Sequence, residues 1–286
     1  MKREMKEIRD PCVAGSFYPE KGVDLRKAMD DLFSGIEETP FPQELKSTPI
    51  MGLIVPHAGI QYSGKTAVHG FIHLRGREFG TFILIGPSHH ASFPGVRVDL
   101  RKGWRTPLGV ASIDQELGEE LAREYESTGF LRFDPFLFNR EHSLEVEIPF
   151  LQRIFPTFQF LPFLLGDLLR ESCEFLARIL GKLSKRHSLF FIASSDLYHG
   201  YDEEECQRSD ENLLSLIRSM ESEPLANSLL KYPPPACGAS AIFTLMLVGK
   251  GLGAKRVELL HRSNSSEIQR DPSGYVVGYA SLALTQ

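Results

Sequence analysis

Cysteine is scarce in this chain, with 4 residues in 286 against 9 histidines. The four stand apart at Cys12, Cys173, Cys206 and Cys237, and no CxxC pair exists. That spacing excludes a disulfide-stapled scaffold, a zinc ribbon and a thioredoxin-type redox pair. Neither sign of charge is in large excess. The formal net charge is −5, so no chain-wide basic surface is available to hold nucleic acid. Low-complexity tracts and internal repeats are also missing. Hydrophobic residues at 42% and charged residues at 24% exclude a disordered, collagen-like or coiled-coil chain. The first ten residues, MKREMKEIRD, are charged with no apolar run behind them, so they do not read as a secretory signal. The longest uncharged stretch, residues 232–249, opens with Pro233, Pro234 and Pro235 and cannot form a spanning helix. A cytoplasmic protein with reduced thiols, and with no membrane or nucleic-acid partner, is the expectation.

What the chain does have is apolar runs of strand length, at residues 51–56, 81–86, 158–165, 188–194, 256–261 and 275–284. Between them lie segments of helical period at 114–126, 143–155, 168–184, 203–220 and 238–249, preceded by an N-terminal helix over 23–33. In 143–155, Leu144, Ile148, Leu151 and Phe155 share one face. Ser143 is the expected N-cap there, with Glu145 and Glu147 in the first turn. Strands alternating with helices predict an α/β fold whose central β-sheet, largely parallel or mixed, is flanked by helices. Length alone allows two domains, but the only loose stretch in the first third is 40–49, so a single domain over residues 1–286 is expected.

Ligands of open α/β sheets bind beyond the carboxyl ends of the strands. Three strand ends are informative by that rule. VPHAG delivers His57, LIGPSHH delivers Ser88, His89 and His90, and FFIASSDLYHG delivers Ser194, Ser195, Asp196 and His199. Parallel topology would bring all three to one edge. His142, in REHSLEVEIP, and Cys237, in YPPPACGAS, could join them. Cys237 falls near a helix N-terminus, a position expected to lower its thiol pKa. Imidazole with thiolate suits iron, copper or zinc, and neither magnesium nor calcium.

A rival motif is GIQYSGKT, beginning at Gly59 and ending at Thr66, which fits the P-loop pattern GxxxxGK[ST]. Bulky Ile60, Gln61 and Tyr62 fill the loop interior, and no strand ends directly in a magnesium-binding Asp, so nucleotide binding is the weaker reading. His69 and His73, four apart, suit a helix side near solvent. His187, His261, Cys12, Cys173 and Cys206 carry no spacing signal, and Trp104 reads as packing.

Taken in order, the blocks VAGSFYP, VPHAGIQYSG, ILIGPSHH, EHSLEVEIPFLQ, SSDLYHG, ACG and GYVVGYAS resemble the Memo family, whose prokaryotic members are called AmmeMemoRadiSam system protein B. The resemblance covers nearly the whole chain. It implies a fold like that of class III extradiol dioxygenases. It also implies one mononuclear transition metal, iron or copper with zinc as a further candidate, on His57, His89 and Cys237. Asp196 and His199 match the family's pocket residues, with roles in handling protons or orienting ligands, and His142 matches its EHS motif. Those dioxygenases typically use a carboxylate as third ligand, so a thiolate weakens the case for ring cleavage itself. Ile60 departs from the Tyr that relatives often carry. The implied activity is that of a metal-dependent redox or oxygen-utilising enzyme of unknown substrate, a small molecule or peptide, in a pathway with a radical-SAM partner protein. The alternative is a non-catalytic peptide- or partner-binding module using the same pocket.

Overall fold

The computed structural model describes residues 7–37, 48–269 and 274–286, so most of the expected loose stretch at 40–49 lies outside the described residues. The strands are β1 (Ile8–Arg9), β2 (Ile50–Val55), β3 (Thr81–Pro87), β4 (Val96–Val98), β5 (Gly103–Thr106), β6 (Gly109–Ile113), β7 (Leu131–Phe133), β8 (Gln159–Leu165), β9 (Leu189–Ser194), β10 (His199–Gly200), β11 (Arg256–Asn264) and β12 (Val276–Thr285). The α-helices are α1 (Gly22–Glu37), α2 (Ile60–Phe71), α3 (Gln115–Tyr125), α4 (Pro135–Phe138), α5 (Glu147–Ile154), α6 (Arg170–Leu183), α7 (Glu203–Ser219), α8 (Ser222–Leu229), α9 (Ala239–Gly251) and α10 (Ser265–Gln269).

The strands join one mixed sheet in the order β1-β5-β6-β8-β3-β9-β2-β12-β10. Its centre, β8-β3-β9-β2, is parallel, and β12 closes that run antiparallel to β2. Every residue of β3 is buried, as expected of a strand covered on both faces. Side-chain alternation shows how β2 is covered. Leu53 and Val55 point at α2, where a Cβ on Gly70 would meet Val55 at 2.9 Å. Gly52 points the other way, where a Cβ would meet Leu245 of α9 at 2.8 Å.

Register is what builds the site. Val55 pairs with Ser194, Ile85 with Ala193, and Pro87 with Leu165. The carboxyl ends of β2, β3 and β9 therefore lie side by side, as the parallel reading expected.

Two local expectations are corrected. The helix expected from Ser143 begins at Glu147, and Ser143 does not cap it. Its hydroxyl instead donates to the Pro87 carbonyl (3.0 Å), and its N–H donates to the Glu141 carboxylate (2.9 Å). Glu145 likewise leaves the helix start for a buried ion pair with Arg9. The P-loop reading also fails on backbone geometry. GIQYSGKT is the start of α2, and the N–H groups of Tyr62 and Ser63 already bond to the Gly59 carbonyl, so they cannot wrap a phosphate. Thr66 faces β11, bonding His261 (2.9 Å) and Ser263 (2.7 Å).

Arg9 and Glu145 are each 1% or less exposed. Arg9 also donates to the carbonyls of Phe138 (2.7 Å) and Glu141 (2.8 Å) and lies 4.5 Å over the Trp104 ring. Glu145 accepts from the N–H groups of Cys12 and Val13 and from the Tyr18 hydroxyl. Replacing Arg9 with Met strands a buried carboxylate and should cost about 3–5 kcal/mol in urea unfolding. Adding Glu145→Leu should recover much of that loss, and a double variant no more stable than Arg9→Met alone would contradict this account.

Candidate metal centre

A cavity of about 680 Å³ opens over the shared strand edge. His57, His89, His142, Asp196 and His199 all line it, and its walls include Phe17, Tyr62, Tyr275 and Tyr279. Cys237 is not on that lining but touches it through His57, with Sγ 3.2 Å from Nε2. The six residues singled out from sequence are thus gathered around one cavity. The ligand atoms of His57, His89 and His142 lie within 4.8 Å of one another, and so do those of His57, Asp196 and Cys237. His57 belongs to both groups. His89 and Cys237 fall in different ones, and His199 falls in neither.

Backbone proximity explains the second group. The Cys237 N–H donates to the Asp196 carbonyl (3.2 Å), and the Asp196 N–H donates to the Cys237 sulfur (3.2 Å). The Gly238 N–H donates to Ser195 Oγ (2.9 Å). A Cβ at Gly238 would lie 2.4 Å from the Ser194 carbonyl oxygen, so only glycine allows the two segments to meet. Asp196 Oδ1 accepts from the N–H groups of His57 (2.9 Å) and Ala58 (3.3 Å), tying the β9 end to the β2 end.

In the first group each ring is held from behind. His57 Nδ1 lies 2.8 Å from Ser194 Oγ, and His89 Nδ1 lies 2.9 Å from Glu141 Oε1. A ring nitrogen engaged at Nδ1 leaves Nε2 to bind a cation, the usual arrangement of a histidine ligand and its outer partner. His142 stacks on His89 at 4.5 Å between centroids, and Phe17 packs on His142 at 4.8 Å. His199 Nδ1 lies 2.9 Å from the Leu197 carbonyl and donates to it, which leaves its own Nε2 as an acceptor.

A family model described as Memo-like protein matches residues 9–283. The chain belongs to the Memo family. Curated relatives named "MEMO1 family protein" match along nearly the full length. That of Thermoplasma volcanium is 38% identical over 276 residues, covering 96% of this chain and 97% of that protein. That of Thermoplasma acidophilum is 36% identical over 275 residues (96% and 97%), and that of Nitrosopumilus maritimus 32% over 276 (96% and 98%). An uncharacterized protein of Escherichia coli K12, known from its crystal structure, shares the fold at a TM-score of 0.57 and 12% identity. That match covers 82% of this chain and 100% of the other.

In this Memo chain the electrostatics of the cavity favour neutral donors. Burial holds His57 well below the ordinary imidazole value, aided by His89, His142 and His199. His142 is pulled down to about 4, chiefly by burial and then by His89. The helix-start effect expected at Cys237 does not prevail. Burial first, and then the nearby Asp196, push its thiol up. Burial also raises Asp196 to about 7, against the opposing N–H groups of His57 and Ala58.

Sequence reasoning passed over Glu141, Glu147 and the supporting role of Ser194, although Glu141 adjoins His142 in the EHS block. No helix among the described residues is long and apolar enough to cross a membrane.

Glu141 generates a pH prediction. Burial alone would raise its carboxyl, but the His89 ring and the N–H groups of Ser143 and His89 outweigh this and hold it at about 2. A depressed carboxyl adds stability above its unfolded value, near pH 4.3, that fades as pH falls toward the folded one. Urea unfolding between roughly pH 5 and 3 should therefore show a steeper decline for wild type than for Glu141→Gln. Parallel declines would refute the assignment.

Proposed function

We propose that this protein is a metal-dependent redox or oxygen-utilising enzyme, with one mononuclear transition-metal centre at the cavity floor. The observation that carries this reading is the pair of compact donor groups sharing His57, at the edge where three parallel strands end. Three imidazoles, one thiol and one carboxylate form a donor set suited to iron, copper or zinc. His57, His89 and Cys237 remain the ligands that the family resemblance favours, with His142 and Asp196 as the alternatives that complete each compact group. When bound there, iron or copper supplies one-electron chemistry and zinc supplies Lewis acidity.

The chain's own groups divide the remaining work. Asp196, buried and titrating near neutrality, is suited to hold or pass a proton at Oδ2, since Oδ1 is engaged by backbone N–H groups. His199 presents Nε2 as a second proton acceptor, with burial keeping the ring neutral. Phe17, Tyr62 and Tyr279 wall the cavity and would exclude water around a small or planar substrate. Tyr275 at the wall pairs edge-on with Tyr201 at 5.0 Å, and both rings are exposed. That aromatic rim favours a second reading, in which a peptide or the radical-SAM partner docks over the mouth.

Metal content after anaerobic purification tests the first reading. Wild type should retain metal, and His57→Ala should lose it because both donor groups contain that residue. Cys237→Ala and His142→Ala then separate the groups, since the ion should leave with the one it occupies. Equal metal in wild type and His57→Ala would sink the proposal. Partner capture by wild type and Cys237→Ala alike, with no oxygen consumption under any metal loading, would favour the docking module.

A further inference from the structure

Ser194 presents a hydrogen-bond count that closes in only one way. Its hydroxyl has one hydrogen and two lone pairs. Oγ lies 2.6 Å from the Ser143 carbonyl oxygen, 2.6 Å from Glu147 Oε1 and 2.8 Å from His57 Nδ1. The Ser143 oxygen can only accept, so it takes the hydroxyl hydrogen. Each remaining neighbour must then bring a hydrogen of its own, Nδ1–H from His57 and O–H from Glu147. Were Glu147 ionised, Oγ would face one oxygen at 2.6 Å with no hydrogen between them, a repulsive contact in the dry interior.

The surroundings agree. Glu147 is fully buried, and its Oε2 has no partner among the described residues. Among the described residues no cation lies against it: its one hydrogen-bond neighbour there is Ser194, and the nearby charged group is Asp196. A carboxylate in that setting would bear the full cost of desolvation, whereas a neutral acid leaves only one carbonyl oxygen unmatched. Burial, with Asp196 behind it, favours the protonated form and outweighs the opposing effect of the Ser194 contact.

We propose that Glu147 is a neutral carboxylic acid whose O–H, relayed by the Ser194 hydroxyl, fixes His57 as the Nδ1–H tautomer and keeps Nε2 unprotonated, with its lone pair available to a ligand. Glu147 is a positioning residue, two hydrogen bonds removed from the donor atom. Its neutrality follows from the Ser194 count alone, and its consequence for metal rests on the metal-centre reading above. The sequence shows why such a residue escapes notice. Glu147 sits at a helix start, where an ionised Glu is ordinarily favourable.

Three measurements test this, two of them without metal. Infrared difference spectra of metal-free wild type and Glu147→Gln should reveal a protonated carboxyl band that is lost in the variant, and its absence in wild type overturns the proposal. Nitrogen NMR of the His57 ring should report Nδ1–H in wild type and in Glu147→Gln, whose amide N–H replaces the acid O–H. Glu147→Leu, which cannot donate, should show a tautomer mixture. Zinc affinity, read by competition with a chromophoric chelator, should stay within about threefold for Glu147→Gln and fall about tenfold or more for Glu147→Leu. Equal losses in the two variants would make Glu147 merely structural and overturn the positioning role. Should Glu147→Leu not fold, the infrared band and the Gln affinity still decide. If wild type binds no zinc, iron or copper, the metal-centre reading fails, while the infrared and NMR outcomes judge Glu147 independently.

Discussion

Arg9 and Glu145 meet out of water, and most of the cavity hangs on that meeting. The pair pins the N-terminal segment against the loop from Glu141 to Glu147. On one side of the pin, Phe17 becomes a wall of the cavity. On the other, the loop presents Glu141 to His89, places His142 against the same ring, and sets the Ser143 carbonyl on Ser194. Burying two charges is unfavourable unless their remaining hydrogen-bonding capacity is met. Here it is met by two backbone carbonyls, two backbone N–H groups, a tyrosine hydroxyl and the face of Trp104. The close approach also needs Gly86, where a Cβ would come within 2.7 Å of Leu144 and 2.9 Å of the Ser143 hydroxyl.

The central sheet was readable because its strands are long apolar runs with nothing polar inside them. Their ends were readable because histidine, serine and aspartate follow immediately. The parallel register then turned three separate sequence positions into one edge, as the alternation of strands and helices implied. What resisted reading were residues whose local signal pointed elsewhere. Glu145 and Glu147 look like first-turn helix acids, yet long-range partners 136 and 47 residues away claim them. Ser143 looks like a cap but serves the β3 end. GIQYSGKT matches a phosphate loop in letters but begins as helix at Ile60. Short strands such as β1, β4 and β10 carry too few residues for any period to emerge.

The two donor groups overlap in a single imidazole, and the overlap is itself a product of the sheet. His57 leaves β2, which lies beside β9 with β3 on the far side of β9, so its ring meets His89 of the β3 end edge-on and the Cys237 sulfur through Nε2. Burial, aided by the neighbouring rings, keeps His57 and His142 from charging on their own. Such a site has lone pairs to offer and little positive charge to repel a cation.

The donors come from positions 57, 89, 142, 196 and 237, each on a different part of the fold. These five lie far apart along the sequence, so an unfolded chain does not present them together, unlike the clustered ligands of a zinc finger. An ion held here would recognise only the assembled sheet, and would stabilise it purely by mass action. A free concentration a hundred times the dissociation constant adds about 2.7 kcal/mol. The thermal tolerance of the protein would then follow the metal supply around it, while the apolar core kept the empty form standing and ready to exchange one ion for another.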